Sequence, residues 1–467
     1  MKNMTLENIA SACSGRLYVP DAGRAAQKAG DTAQPTAEGV AVDSRLVQPG
    51  YIFVAAKGEK TDGHNYIPIA FDRGAMAVIC EKLPEQPAGP CILVKDSLEA
   101  LKKAAAFYRM QFDIPVIGIT GSVGKTSTKE FIASVLSQHF NVLKTEGNFN
   151  NEVGLPLTVF RMNEEHEAAV LEMGINTFGE MHRLSEIARP DMVVMTNIGE
   201  CHLEFLHDRD GVLRAKSEIF DFMDPNGTVF INADDDKLLT IKEVNGNRPV
   251  RFGFSSDYDV WADDVHSEGL LGSTARIHTP SGDFEARINL PGRHMVGNAM
   301  AAAAVGLQMG LTTEEISKGI SSVLPVEGRS HLIHTDDIMI IDDCYNANPV
   351  SVKAAIDLLV SSGTRTVAIL GDMFELGRDE LKMHEDVGRY AALKGVDLLM
   401  CAGELSASMY EGAVKEAGES RALYFKTRDE LIDAIPGNVR RGDTVLVKAS
   451  HGMEYGAAVE ALKEYRA

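Results

Sequence analysis

IPVIGITGSVGKTSTKE, Ile114 to Glu130, opens with a short apolar run that breaks at Gly118 and Gly121, turns through Ser122 and Val123, and meets Gly124, Lys125, Thr126 and Ser127. Amphipathic spacing follows at Phe131, Ile132, Val135 and Leu136. The pattern predicts a strand, a tight loop and a helix N-terminus. Such a junction suits a polyphosphate. Glycines let backbone N–H groups approach phosphate oxygens without a Cβ in the way, and the free N–H groups of the first helical turn point to the same place. Lys125 is placed to neutralise the β/γ oxygens, and the Thr126 hydroxyl to ligate the accompanying Mg²⁺. The commonest nucleotide loop has four residues between its first glycine and the Gly-Lys pair. Here Ser122 and Val123 alone separate Gly121 from Gly124. The alternative is an ordinary Gly-rich turn with one lysine on a solvated helix end; glycines, lysine and hydroxyl falling together after an apolar strand weigh against it.

Outward from this junction, 467 residues are too many for one ordinary core and imply roughly three domains. An apolar content of 45% is enough to fill them. A net charge of −21 disfavours broad attraction to nucleic acid or an anionic membrane, so an anionic substrate would need locally placed cations. The cysteines (Cys13, Cys80, Cys91, Cys201, Cys344, Cys401) show no CxxC spacing, which argues against a zinc site or a disulfide framework and for core thiols in a reducing compartment. The opening MKNMTLENIASACSG has no extended apolar segment, and no apolar span of membrane-crossing length occurs. The expectation is a cytoplasmic chain without membrane insertion.

Residues 1–112 begin with a short amphipathic helix, continue through an Ala/Gly/Asp/Gln-rich excursion over Pro20–Glu38, and then alternate short strands with turns. Residues 113–325 alternate apolar runs with helical patterns, the signature of a mostly parallel sheet with crossover helices, and residues 326–467 repeat that alternation. The expected fold class is therefore α/β, with three domains: a small α/β unit, a central phosphate-loop unit, and a Rossmann-like C-terminal unit. In the last of these the expected strands are Ile338–Ile341, Val367–Leu370, Leu398–Cys401 and Val445–Lys448.

Polar residues gather just past the expected strand ends, where a parallel sheet delivers its chemistry. In the first unit Asp43-Ser44-Arg45 and Asp62-Gly63-His64 form two clusters; each alone reads more readily as a turn, although a Ser-Arg pair at a strand end can bind phosphate. In the second, Thr145–Leu157 (TEGNFNNEVGLPL) is either a loop closing on a polar ligand or an Asn/Gly-rich connector. Glu172 closes one run and His202 follows another, so both could face one metal–phosphate site, although a solitary histidine favours a plainer role. Lys216, in RAKSEIF at the expected start of a helix, reads by itself as a surface lysine. Asn298, at the opening turn of a small-residue core helix (AMAAAAVGL), could hydrogen-bond a base edge. In the third, Asp343 and Asp372 precede helices and read first as caps.

Together the segments DSR…PGYIF, DGH, TGSVGKTS, NFNNEVGLP, LEMG, TNIGECHLE, AKSEIF, EGR, DDCYNANP and LGDMFELG resemble the Mur ligases, ATP-dependent amide-forming enzymes of peptidoglycan precursor synthesis, over nearly the full chain. NFNNEVG, DDCYNANP and LGDMFELG are similar to the branch that adds D-alanyl-D-alanine, whereas the DYAHxP and DRDxxKR-like stretches of the tripeptide-forming relatives are absent. The resemblance implies that Gly121, Ser122, Val123, Gly124, Lys125, Thr126 and Ser127 bind ATP, with Thr126 and Glu172 on one Mg²⁺ and His202 near a second. Lys216 looks like the family lysine that CO₂ converts to a carbamate, a carboxylate-like ligand for a hard metal. Asn298 would contact adenine, Arg329 the phosphate region and Asp343 the ribose. Asn150 and Asn151 would line the muramoyl-peptide site, and Ser44 and Arg45 the uridine end. The implied substrates are UDP-N-acetylmuramoyl-tripeptide and D-alanyl-D-alanine, joined through an acyl phosphate by a monomer. The chain departs from the family pattern at Met295, where relatives usually have asparagine, and at Lys448–His451, where KASH replaces KGSR. The rivals are another ligase of the same fold, such as a folylpolyglutamate synthetase or the diaminopimelate-adding relative, and a P-loop NTPase that uses ATP as a conformational switch.

Overall fold

The computed structural model describes residues 1–20, 35–58 and 61–466. The excursion expected over Pro20–Glu38 falls, for residues 21–34, outside the described residues; just beyond it Thr36 bridges Thr5 and Ala37 is buried.

A nine-stranded sheet forms the middle of the molecule. The strand Val116–Thr120 lies between Ala168–Glu172, which pairs onward with Val142–Lys144, and Met192–Met195, which continues through Thr228–Asn232, Val250–Gly253 and Val260–Ser267. All these pairings are parallel; Ser273–His278 and Phe284–Ile288 then extend the sheet antiparallel. After Val116–Thr120 the chain builds strands on one side and then returns to lay Met192–Met195 on the other. That reversal opens a crevice at the carboxyl end of Val116–Thr120, which is where the glycine turn emerges.

Every residue of Val116–Thr120 is buried, and successive side chains serve different cores. Val116 joins one apolar cluster, whereas Ile117 and Ile119 join another with Phe131, Ile132, Val135 and Leu136 of the helix Lys125–Leu136. The Ala-rich helix Arg293–Gln308 packs in that second cluster, as its composition implies. Asn298 lies in its second turn, one turn later than expected, because the helix already begins at Arg293.

The first sheet runs Arg16–Tyr18, Cys91–Leu93, Ala77–Cys80, Tyr51–Val54 and Gly39–Ala41, parallel except for Arg16–Tyr18. Its apolar cluster is continuous with the central one through the helix Ser97–Arg109. There Tyr108 donates its hydroxyl to Met162 O at 2.6 Å, and buried Arg109 donates to Phe112 O at 2.8 Å and Ala188 O at 3.1 Å.

The third sheet runs His331–His334, Met339–Asp342, Thr444–Lys448, Thr366–Gly371, Leu398–Ala402 and Ala422–Phe425, parallel after its first pair. The four expected strands are present, with ends shifted by a residue or so. Five of the six cysteines are buried and Cys344 is partly so; all are free thiols. Among the described residues no helix is long and apolar enough to cross a membrane.

Other expectations give way to tertiary structure. Lys216 ends, rather than starts, the helix Arg209–Ser217. Leu155–Leu157 belongs to the helix Gly154–Val159, whose entry is held by Asn151 Oδ1 accepting from Val153 N–H at 3.1 Å and Gly154 N–H at 2.9 Å. The helix after Asp343, Pro349–Val360, is capped by Asn348. Asp372 accepts hydrogen bonds from Ser406 N at 2.7 Å and Oγ at 2.6 Å, at the start of the more distant helix Ser406–Ala417.

Candidate active site

Gly121 sits at φ +150°, and a Cβ there would lie 2.0 Å from Thr196 Oγ1, so only glycine fits. Gly124 adopts φ +83° immediately before the helix and provides no side-chain cap, which leaves the first-turn N–H groups for a ligand. The turn between them is clamped by the exit of the neighbouring strand. Ser122 N–H donates to Asn197 O at 3.0 Å and Val123 N–H to Asn197 Oδ1 at 2.9 Å. Val123 O in turn accepts from Thr196 Oγ1 at 2.6 Å and Asn197 Nδ2 at 3.0 Å. Ser122 Oγ accepts from Gly199 N–H at 2.9 Å and contacts Cys201 Sγ at 3.0 Å. Half-buried Lys125 folds back over the turn and donates to Gly121 O at 2.9 Å. Burial holds its ammonium below the usual lysine value, against the pull of Glu172.

Glu172 is 1% exposed at the end of its strand. Oε1 accepts from Asn150 Nδ2 at 2.7 Å, while Oε2 is buried without a hydrogen-bond partner among the described residues. A buried, unmatched carboxylate oxygen is costly unless a cation meets it. With the Thr126 hydroxyl lining the same cleft, the donor set fits Mg²⁺, which takes few protein oxygens and completes its shell with phosphates and water. Among the described residues no group of three or more His, Cys, Asp or Glu side chains could hold a metal by itself.

His202 adopts φ +53° and sets its Nδ1 against Glu375 Oε2 from the third sheet's LGDMFELG loop. Burial pushes its imidazole below the ordinary histidine value, with the Glu375 hydrogen bond pulling the other way. The surface role read for Lys216 is wrong: the residue is 1% exposed, and its side chain makes no hydrogen bond or ion pair with another described residue. Burial drives its amine down to about 8, and nearby Lys125 adds to that effect. A buried amine that readily loses its proton fits the nucleophile needed to take up CO₂.

The other wall of the cleft comes from the third sheet. Asp343 Oδ1 accepts from Ser330 N–H at 2.9 Å, and Oδ2 pairs with Lys448 Nζ at 2.5 Å. Lys448, 2% exposed, also donates to Asn346 O at 2.9 Å, so the lysine of KASH anchors the DDCYNANP turn. The Arg329 guanidinium lies 3.9 Å from the Tyr345 ring centroid. On the central wall Asn298 accepts from Thr128 Oγ1 at 3.0 Å and donates to Met295 Sδ at 3.5 Å, so the sulfur of Met295 takes the Asn298 amide.

One cleft of about 840 Å³ is lined by Ser122–Thr128, Asn150, Asn151, Glu172, His202, Asn298, Arg329 and Asp343. Lys216 lies behind it, within electrostatic reach of Lys125, Cys201 and His202. Ser44 and Arg45 do not line it: Ser44 is buried in the first unit, and Arg45 folds onto Asp43 with Nη2–Oδ2 at 2.6 Å. Beside them His64 Nε2 accepts from Glu81 N–H at 2.9 Å, which leaves Nδ1–H to bond Asp62 at 2.7 Å. The Thr196–Asn197 clamp, Lys448 and Glu375 were missed as site residues. The polar run at each strand end was the available signal.

Three family models match the chain: "Mur ligase family, catalytic domain" at residues 36–109, "Mur ligase middle domain" at 119–306 and "Mur ligase, glutamate ligase domain" at 328–451. The chain is 37% identical to the UDP-N-acetylmuramoyl-tripeptide–D-alanyl-D-alanine ligase of Bacillus subtilis (strain 168), over 99% of each chain. Among solved structures it is similar to MurF from Acinetobacter baumannii, with a TM-score of 0.88, 31% identity and 99% of each chain covered. It is also similar to MurF ligase from Thermotoga maritima in complex with ADP, with a TM-score of 0.80, 28% identity, and 91% of this chain and 97% of that one covered.

Proposed function

The chain belongs to the Mur ligase family, and we propose that it uses ATP to join D-alanyl-D-alanine to UDP-N-acetylmuramoyl-tripeptide, releasing ADP and phosphate and giving the pentapeptide precursor of peptidoglycan. One observation carries this reading: Lys125, Thr126 and Glu172 line one wall of a single cleft, and Arg329 and Asp343 line the other. A triphosphate gripped by the glycine turn would thus be read from both walls.

The tripeptide's terminal carboxylate must approach the γ-phosphate, and both are anions. Lys125 and the N-terminus of the helix Lys125–Leu136 offset that repulsion and hold the transferring group in line. Mg²⁺, held by Thr126 and Glu172 and at a second position by His202 and carbamylated Lys216, would spread the charge that builds on the phosphoryl oxygens. The acyl phosphate so formed is attacked by the dipeptide amine, and phosphate leaves. Asn298 meets the adenine, Arg329 the phosphates and Asp343 the ribose. Asn150 and Asn151 line the muramoyl-peptide path, and Ser44 and Arg45 take the uridine end. The units 1–112, 113–325 and 326–467 act as uridine-binding, ATP-binding and dipeptide-delivering parts of a cytoplasmic monomer. Docking of the third unit shields the acyl phosphate from water.

An acceptor panel tests the reading. With ATP, Mg²⁺ and the tripeptide nucleotide, amide product and phosphate should appear together with D-alanyl-D-alanine, and not with glutamate, diaminopimelate or a folate. Phosphate released without a new amide would favour the switch NTPase instead.

A further inference from the structure

Two segments meet at the mouth of the cleft, one from each wall. The turn at His202–Leu206 belongs to the central unit, and the loop after Thr366–Gly371 to the third. Glu375 O accepts from Glu204 N–H at 3.3 Å, and Gly377, at φ +73°, packs so closely that a Cβ would lie 3.3 Å from the same nitrogen. The loop itself is braced from behind. Buried His384 accepts Met373 N–H on Nε2 at 2.9 Å and spends its Nδ1–H on Glu380 O at 2.7 Å, while Phe374 N–H donates to Ser450 Oγ at 2.8 Å. At the contact, His202 and Glu375 both hold left-handed backbone, φ +53° and +61°, which for non-glycine residues the surroundings must enforce. What this bracing delivers is one bond, between His202 Nδ1 and the Glu375 carboxylate.

Histidines that bind metals characteristically donate their second ring N–H to a carboxylate, which fixes the tautomer and the ring plane. In this chain that carboxylate comes from the other side of the cleft. We propose that Glu375 is a positioning residue: by taking the Nδ1–H of His202 it keeps Nε2 as the lone-pair nitrogen for Mg²⁺, so the second metal position is complete only when the third unit is docked. The inference rests on the ligase reading above and deepens it, because metal loading and domain docking become one event.

The test is titration of Mn²⁺ into protein saturated with a non-hydrolysable ATP analogue, followed by the EPR signal of free Mn²⁺, in the parent, Glu375→Gln and Glu375→Asp. Glu375→Gln should weaken the weaker Mn²⁺ affinity about 10- to 100-fold, and Glu375→Asp by less, with the Tm of the nucleotide-free protein unchanged. The ligase rate lost in Glu375→Gln should return as Mg²⁺ is raised. Mn²⁺ affinity within twofold of the parent in both variants, or a rate loss that Mg²⁺ does not reverse, would overturn the proposal and make Glu375 a docking contact only. Should Glu375→Gln fail to fold, Glu375→Asp carries the same decision. If the parent makes no amide with any acceptor, the ligase reading fails, yet the Mn²⁺ titration still judges Glu375 because it needs only the analogue.

Discussion

The two junctions between the three sheets are built from opposite materials. Between the first and central sheets a single apolar cluster runs unbroken, from Ile52 and Ile92 through Leu101 and Tyr108 to Val116 and Leu184. Between the central and third sheets lies a polar cleft, bridged by His202–Glu375 and the Glu204–Glu375 backbone bond. The clusters of the third sheet draw only Leu270 from the central unit, among the described residues. Separating a fused core exposes apolar surface at roughly 25 cal/mol per Å², whereas parting polar surfaces exchanges one set of hydrogen bonds for another with water at little net cost. Stability is therefore concentrated at the first junction, and the proposed chemistry sits at the second.

Substitutions that separate these two roles would sharpen or break that contrast. Lys125→Ala should have the largest effect: amide formation falls about a thousandfold or more, while Tm moves by no more than about 2 °C. A variant that lost its fold instead would refute the assignment of this wall to chemistry. Leu101→Ala, at the apolar junction, should destabilise the protein by about 2–5 kcal/mol in denaturant unfolding and leave the rate per folded molecule unchanged. Separate melting of the first unit in the parent would show that the core is not shared.

Lys216→Met tests the exchange of stability for function at one residue. In metal-free, CO₂-free buffer the parent must bury a charged amine below pH about 8. Between about 8 and the ordinary value of 10.5 the unfolded chain still holds the proton that the folded protein has released, so parent stability rises through that window. The variant should accordingly melt above the parent at pH 7, lose that advantage as pH rises past 8, and form no product at any pH. An advantage independent of pH would contradict the buried-amine reading. The smallest effect is expected at Met295→Leu, which removes the sulfur that Asn298 Nδ2 contacts at 3.5 Å: KM for ATP should rise about two- to threefold with kcat unchanged.

The same contrast explains what could be read from the chain. The strand, turn and helix around Lys125 were legible because their signals are local: an apolar run, glycines at the turn, and amphipathic spacing. The nucleotide-contact roles proposed for Arg329 and Asp343 followed only from the family resemblance. Whatever depends on remote partners was hidden. Lys216 read as a surface residue because nothing in RAKSEIF reveals that the helix end is buried. Lys448 and Asp343 are 105 residues apart, and His202 and Glu375 are 173. Asp343 and Asp372 looked like caps because their true partners, Lys448 and Ser406, belong to other elements.

The claim beneath all of this is that the glycine turn holds a triphosphate so that a peptide's own carboxylate receives the phosphoryl group. Tripeptide nucleotide labelled with ¹⁸O in its terminal carboxylate, turned over with ATP and D-alanyl-D-alanine, tests it directly by mass spectrometry of the released phosphate. One ¹⁸O per phosphate, formed in step with the amide, is the expected result. Unlabelled phosphate beside the amide product would contradict it.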